Sequence, residues 1–305
     1  MSKQDCLNKF LLQDRSARVI SVQLDSVWQT AQANQPGSEA IRSLLGELMA
    51  AAVMLSANLK FDGSLLLQLQ GNGVVKLIVV ECRQDLSIRA TIKLNHEPHA
   101  NESGLQALLN ADGQGRFSVI LNPPRDTPGR QPYQGIVPLT SNTVAEVLQD
   151  YMLQSEQLQT RIWLATSDKR LGGLLLQRMP HDGGHTTASA ESHSDSWGHA
   201  NALCDTIDSN ELVQLDSDTL LHRLFWETPV IGLESASVTW RCGCNRERVA
   251  AMLRSLGKQE VEDIVAEQGQ VEVTCEFCAT PYRFDAVDAE ALFKAVSAHN
   301  TDQLH

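Results

Sequence analysis

The pattern of hydrophobic and polar positions predicts several strands in the first 180 residues. Between residues 86 and 94 every second residue is apolar, the period expected of a strand with one buried face. Two apolar segments, 64–70 and 74–81, flank Gly71-Asn72-Gly73, a sequence typical of a hairpin turn. Further short apolar segments predict strands at 18–24, 116–121, 161–165 and 173–177.

Two segments of the same region have helical features. An apolar stripe with the spacing of one helix face follows Ser38, and it consists of Ile41, Leu44, Leu45, Leu48, Ala52 and Leu55. Thr143 and Glu146 have the spacing of a capping box, which predicts the start of a second helix. Because strands predominate and do not alternate regularly with helices, we expect an α+β fold, with a mixed α/β core domain over residues 1–180.

The composition changes after Pro180. Residues 181–199 are rich in His, Ser, Gly and Thr, and we expect a flexible linker without helical structure there. Asp218 is expected to cap an amphipathic helix that ends before Pro229 and contains Leu220, Leu221, Leu224 and Phe225. An apolar helix tethered by a polar stretch is a candidate for reversible undocking. Residues 181–232 are therefore predicted to form a metastable linker region.

The last segment, 233–305, predicts a small α+β module built around two cysteine pairs. A helix over 249–256, stopped by Gly257, and a second helix from Val261 to near Gly269 follow the first pair. Short strands at 271–273 and 281–284 flank the second pair. Without a metal, a module of this size with so few apolar side chains would be only marginally stable.

The two pairs have the spacing of a metal site. Cys242 and Cys244 form a C-x-C pair, and Cys275 and Cys278 form a C-x-x-C pair. Four thiolates complete a tetrahedral zinc shell, with Zn–S bonds of about 2.3 Å and no open position for a substrate. We therefore expect one Zn²⁺ ion per chain, no catalytic residues and no enzymatic activity. Spacing alone leaves two uses open, a structural site or a redox sensor, and it favours the structural site.

Composition and charge narrow the class of protein further. The chain has 305 residues and a formal net charge of -12, so its general surface does not attract nucleic acid or anionic membranes. Its uninterrupted apolar runs are far shorter than the roughly 18 residues of a membrane span, and no secretory signal is expected. Seven cysteines, an odd number, suit a reducing cytoplasm. The isolated Cys6, Cys82 and Cys204 are expected to be ordinary residues, with Cys82 buried.

Five motifs in chain order resemble those of one known family. They are Tyr133–Leu139, Tyr151–Gln157, Gly172–Gln177, Leu224–Glu227 and the segment Trp240–Arg248 with its C-x-C pair. Together with the C-x-x-C pair they resemble the redox-regulated holdase chaperones, the 33 kDa heat-shock protein family, over nearly the whole chain. Two departures are Trp226, where the family usually has a histidine, and a longer polar stretch over 181–199.

The resemblance implies an ATP-independent chaperone that is inactive while its four cysteines bind zinc. Oxidation would join Cys242 to Cys244 and Cys275 to Cys278, release zinc and unfold the C-terminal module. Apolar surface on the first domain would then bind unfolding client proteins under oxidative stress in the cytoplasm. The resemblance also implies a homodimer in the oxidised state, and neither nucleic acid nor membrane as a partner.

The alternative is a constitutively folded zinc ribbon that docks the first domain onto nucleic acid or another protein. From residue 233 onward the chain has 7 Lys and Arg against 12 Asp and Glu, an acidic balance that disfavours nucleic acid. The two interpretations differ in whether oxidant produces chaperone activity.

Overall fold

The computed structural model describes residues 5–59, 61–98, 102–124, 131–180 and 187–297. The chain divides into two compact units, Met1–Arg241 and Cys242–His305. These limits differ from the predicted ones at 180 and 232, because the described segment from 187 to 241 folds as part of the first unit. The first unit therefore includes the region predicted to be a separate linker.

Two sheets form the framework of the first unit. The five-stranded sheet has the order Val230–Ser237 (β10), Cys6–Leu12 (β1), Ala17–Leu24 (β2), Leu171–Arg178 (β9) and Thr160–Thr166 (β8). The six-stranded sheet has the order Thr239–Trp240 (β11), Ser87–Leu94 (β5), Val75–Arg83 (β4), Ser64–Gln70 (β3), Arg116–Asn122 (β6) and Tyr133–Pro138 (β7). Neighbouring strands are antiparallel except for β11 and β5. The predicted hairpin is confirmed, since β3 and β4 pair around residues 71–73.

One long helix, Glu39–Asn58 (α2), packs between the two sheets. The six apolar residues of its predicted stripe are buried, and Met49, Ala50 and Val53 on other faces are buried too. The helix contacts β2, β8 and β9 of one sheet and β3, β4 and β5 of the other. A helix that is apolar on all sides suits complete burial. By length and composition alone it is also long and apolar enough to cross a membrane.

Three further helices belong to this core: Ser26–Ala33 (α1), Leu105–Leu109 (α3) and Val144–Gln154 (α4). The capping box predicted for α4 is confirmed. The backbone N–H of Glu146 donates to Thr143 Oγ1 at 3.2 Å, and Glu146 Oε2 accepts from the N–H of Thr143 at 3.1 Å. These two bonds satisfy N–H groups that the first turn of a helix leaves unpaired.

The expected lack of helical structure over 181–199 is wrong for residues 187–199, which lie in the helix Thr187–Cys204 (α5). Residues 181–186 lie outside the described part. The physical reason is packing at the end of α5, where Ala200 and Cys204 are buried and Trp197 is partly buried in an apolar cluster. Their spacing is that of one helix face, but it continues past residue 199 into a less polar stretch.

Two short helices, Ser209–Gln214 (α6) and Ser217–Leu224 (α7), cover the five-stranded sheet on the face opposite α2. Their apolar residues Leu212, Leu220, Leu221 and Leu224, with Phe225, are buried against Phe10, Val19, Leu174 and Leu176 of the sheet. The predicted cap at Asp218 is wrong by two positions, because Asp216 accepts the hydrogen bond from the N–H of Thr219 at 3.0 Å. Asp218 instead lies in the first turn of α7.

Polar contacts fix where α6 and α7 dock. Ser217 Oγ accepts hydrogen bonds from Ser21 Oγ at 2.8 Å and from Asn8 Nδ2 at 3.0 Å. Arg170 pairs with Asp25 and donates from Nη1 to the carbonyl of Val213 at 3.2 Å. Because buried polar groups need partners, these contacts favour one docked position over others.

The second unit contains Arg246–Leu256 (α8), Lys258–Gln268 (α9), Val271–Thr274 (β12), Pro281–Phe284 (β13) and Ala286–Ser297 (α10). The predicted helices and strands are confirmed, with Gly257 after α8 and Gly269, in the left-handed conformation, after α9. Helix α10 was not predicted, although Asp285 accepts from the N–H of Asp288 at its start. In the described part of this unit the buried apolar residues are Ala250, Leu253, Val261, Val271, Phe284, Ala289 and Leu292.

Gly172 gives a test of the docking of α6. A Cβ at this position would lie 2.2 Å from the carbonyl oxygen of Leu212. We expect Gly172→Ala to displace α6, at a cost of about 1–3 kcal/mol, and to expose the sheet face beneath it. Binding of the dye ANS by the reduced protein should rise. Gly198→Ala is the matched control, since an added Cβ there meets nothing within 4 Å. Equal dye binding by both variants would contradict this account of the docking.

Glu47 in α2 gives a pH-dependent prediction. Burial raises the pKa of Glu47 to about 7 from 4.5, against the opposing effect of a hydrogen bond with Ser43. Its contribution to stability is therefore complete below about pH 4.5 and is lost as the pH rises through about 7. We expect Glu47→Gln to stabilise the first unit by about 2 kcal/mol at pH 8, discounted for partial exposure, and by little at pH 4. Urea unfolding followed by tryptophan fluorescence measures this, because all five tryptophans lie before residue 242.

Candidate metal centre

The second unit brings the four predicted ligand cysteines together. Cys242 and Cys244 directly precede α8, whereas Cys275 and Cys278 lie in the turn between β12 and β13. That turn is held by a hydrogen bond from the N–H of Cys275 to the carbonyl of Thr280 at 3.0 Å. The hairpin and the start of α8 therefore present the two pairs to each other.

The spacing of the four sulfur atoms fits a closed tetrahedral site. All four Sγ atoms lie within 4.8 Å of one another. Cys242 and Cys275 are 3.6 Å apart, and Cys244 and Cys278 are 3.3 Å apart. A zinc ion with Zn–S bonds of about 2.3 Å separates its four sulfurs by about 3.8 Å. The cluster could therefore hold one metal ion through four soft donors, with no position left for a substrate.

Without a bound metal ion, the thiols of the cluster differ in their pKa. Burial raises the pKa of Cys242 to about 12. Burial also acts to raise the pKa of Cys278, but hydrogen bonds from the hydroxyl and N–H of Thr280 and from Cys244 and Cys242 outweigh it and lower this pKa to about 7. A metal ion bound by all four sulfurs would displace their remaining protons, so its affinity should fall as the pH is lowered.

Two hydroxyl groups contact the cluster, and neither was identified from the sequence. Tyr282 Oη donates to Cys244 Sγ at 3.1 Å, and Thr280 Oγ1 lies 3.2 Å from Cys278 Sγ. The bond to Cys244 raises the pKa of Tyr282 to about 12, so the phenol keeps its proton. The sequence feature that could have identified them is their position, because both residues follow directly after the C-x-x-C pair, where the chain turns back to form the second strand of the hairpin.

The first cysteine pair is held to the start of α8. Asn245 caps this helix by accepting from the N–H of Arg248 at 2.8 Å, and Arg248 Nη1 donates to the carbonyl of Gly243 between the two cysteines. Because metal sites depend on groups that orient their ligands, Asn245 and Arg248 belong to the site although they offer no sulfur.

The other three cysteines lie in the first unit and are buried: Cys6, Cys82 and Cys204. The prediction that Cys82 is buried is confirmed. Burial raises the pKa of Cys82 and of Cys204 to about 12. The four cysteines of the second unit differ from these three in being half-buried rather than buried.

These features define a class of protein in which an α+β unit with docked helices is followed by a small module with a four-cysteine cluster. The family model described as Hsp33 protein matches residues 5–285. The chain belongs to this family.

Individual relatives agree with the family match. The 33 kDa chaperonins of Chromobacterium violaceum and Methylobacillus flagellatus are each 42% identical to this chain, and each match covers 96% of it and 95% or 96% of the relative. The crystal structure of a 33 kDa chaperonin from Thermotoga maritima matches with a TM-score of 0.79 at 23% identity. That match covers 97% of this chain and 100% of the other, and it shows a shared fold.

The comparisons confirm the predicted chaperone family and the α+β fold. A chaperone family also agrees with the expectation that the chain is not an enzyme. The four predicted ligand cysteines lie together in a cluster that could bind a metal ion.

Removal of one sulfur tests the metal centre. We expect the reduced protein to contain about one zinc ion per chain and Cys278→Ser to lose most of it to a chelator, because a tetrahedral structural site needs four ligands. Elemental analysis after dialysis measures the zinc content. Cys204→Ala, which removes a buried thiol outside the cluster, should keep the wild-type content. Equal zinc in Cys278→Ser and the wild type would rule out the four-sulfur site.

Proposed function

We propose that this chain is an ATP-independent holdase chaperone that oxidation activates. In the reduced state Cys242, Cys244, Cys275 and Cys278 hold one Zn²⁺ ion as thiolates, and the chaperone is inactive. The observation that carries the proposal is the cluster of four sulfurs in a unit with a small apolar core. Such a unit depends on its metal for stability, so loss of the metal would unfold it.

Zinc would supply structural cross-linking and would keep the four thiols deprotonated. The soft donor set suits zinc and excludes the oxygen-preferring cations calcium and magnesium. Four sulfurs leave no vacant coordination position, so the residues of the chain offer no place for a hydrolytic water. A site of this kind has a structural role, in which metal binding stabilises the folded unit.

Oxidation would remove ligands in pairs. Following the resemblance to the family, we propose disulfides between Cys242 and Cys244 and between Cys275 and Cys278. Each forms from two thiolates, one hydrogen peroxide and two protons from solvent, and the peroxide is reduced to two waters. Either disulfide removes two of four ligands and withdraws binding free energy on the order of 10 kcal/mol. The described core of this unit is too small to replace that stabilisation.

Unfolding of the second unit would then release helices α6 and α7. The chain runs from α7 through β10 and β11 to Cys242, and β11 contributes only Thr239 and Trp240 to its sheet. Undocking would expose Phe10, Val19, Leu174 and Leu176 of the sheet together with the apolar faces of the helices. Apolar surface of this kind binds the exposed segments of unfolding proteins.

The remaining partners and the cellular location follow from the family and the charge. We propose that the oxidised chain forms a homodimer in the cytoplasm. Its net charge of -12 disfavours binding to nucleic acid or to anionic membranes.

Zinc release and chaperone activity can be measured in one experiment. Reduced, zinc-loaded protein is treated with hydrogen peroxide at mildly elevated temperature, and zinc release and the light scattering of an aggregating client enzyme are recorded. We expect the reduced protein to leave aggregation unchanged and the oxidised protein to suppress it. Release of zinc without suppression would contradict the chaperone and favour a structural zinc ribbon.

Two variants serve as controls. Cys204→Ala keeps the cluster intact and should be activated like the wild type. Gly172→Ala, in which the docking of α6 is disturbed, should suppress aggregation partly even when reduced.

A further inference from the structure

The four sulfurs of the cluster differ in their contacts with hydroxyl groups. Tyr282 Oη donates to Cys244 Sγ at 3.1 Å, and Thr280 Oγ1 lies 3.2 Å from Cys278 Sγ. Within the described part of the chain, no side-chain hydroxyl lies at hydrogen-bond distance from Cys242 or Cys275. Each cysteine pair therefore contains one sulfur with a hydroxyl partner and one without.

All four cysteines are half-buried rather than buried. The positions of the two hydroxyls are set by the backbone. Tyr282 lies on β13 opposite Val273 of β12. The carbonyl of Thr280 accepts from the N–H of Cys275 and closes the turn. The hairpin therefore delivers one hydroxyl to each pair.

A hydroxyl that donates to a thiolate stabilises the negative charge on sulfur and lowers its nucleophilicity. We propose that Tyr282 and Thr280 are positioning residues that direct the first attack on oxidant to Cys242 and Cys275. Cys244 and Cys278 are then the thiolates that complete the disulfides. This inference rests on the proposed function and adds which sulfur of each pair reacts first.

The chemistry in the C-x-x-C pair takes two steps. The thiolate of Cys275 attacks hydrogen peroxide, so that an S–O bond forms, the O–O bond breaks and hydroxide leaves to be protonated to water. Cys275 is thereby oxidised by two electrons to a sulfenic acid. The thiolate of Cys278 then attacks this sulfur, the S–S bond forms, and the departing hydroxide takes a proton to give a second water. In the C-x-C pair, Cys242 and Cys244 react in the same order.

Alkylation measures sulfur nucleophilicity without disulfide formation. Reduced, zinc-loaded protein is treated with limiting iodoacetamide, so that one sulfur displaces iodide in a small fraction of chains, and the modified cysteine is located by mass spectrometry. We expect Cys242 and Cys275 to be modified faster than Cys244 and Cys278 by roughly threefold to tenfold.

Three variants test the role of the hydroxyls. Thr280→Val should raise modification of Cys278 by a similar factor and leave Cys244 unchanged, whereas Tyr282→Phe should do the reverse. Each variant is thus the control for the other. Thr280 is exposed, so loss of its hydroxyl leaves the core intact, and Thr280→Ser should restore the wild-type pattern. Zinc content and the rate of zinc release by peroxide are recorded for every variant.

Equal modification of the four cysteines in the wild type, or faster modification of Cys244 and Cys278, would overturn the inference. An unchanged pattern in both Thr280→Val and Tyr282→Phe would overturn it as well. If peroxide still activates the chaperone in these cases, the proposed function stands and only the order of attack is wrong. If the pattern is as expected but peroxide produces no chaperone activity, the proposed function fails instead.

Discussion

The four cysteine sulfurs that can share one metal ion are the interaction on which the proposed states of this protein depend. They lie within 4.8 Å of one another in a unit whose described core has seven buried apolar residues. A module with so little core is marginal without a cross-link, whereas a tetrathiolate metal site supplies free energy comparable to that of folding. The same sulfurs that stabilise the unit are its most oxidisable groups. The stability of the second unit and its sensitivity to oxidant therefore depend on the same four sulfur atoms.

The first unit, in contrast, has a large apolar core. Helix α2 is buried between two sheets in a large apolar cluster, and Cys6, Cys82 and Cys204 of this unit are free thiols. Further apolar side chains lie on the other face of the five-stranded sheet, where α6 and α7 cover them. Contacts such as Ser21 with Ser217 and Arg170 with Val213 keep these short helices in place. Undocking of α6 and α7, as proposed above, would expose apolar surface while the core around α2 stays folded.

Much of this could be predicted from local patterns. Period-two alternation identified β5, the apolar stripe identified α2, and chelating spacing identified the four cysteines. Features that depend on distant parts of the chain were missed. Strand β10 pairs with β1 across more than two hundred positions, which moves the domain boundary, and α5 is supported by burial of Ala200 and Cys204. The hydroxyls of Thr280 and Tyr282 reach sulfur only because the hairpin folds back.

Hydrogen exchange during oxidation tests the central claim most directly, because it follows both units of the same molecule while zinc release is recorded. After peroxide treatment we predict loss of protection from Cys242 onward and across α6 and α7, with α2 and its neighbouring strands still protected. Complete zinc release with unchanged protection across Ser209–Leu224 would contradict the account. In that case the metal would stabilise its own unit without controlling the apolar surface of the other.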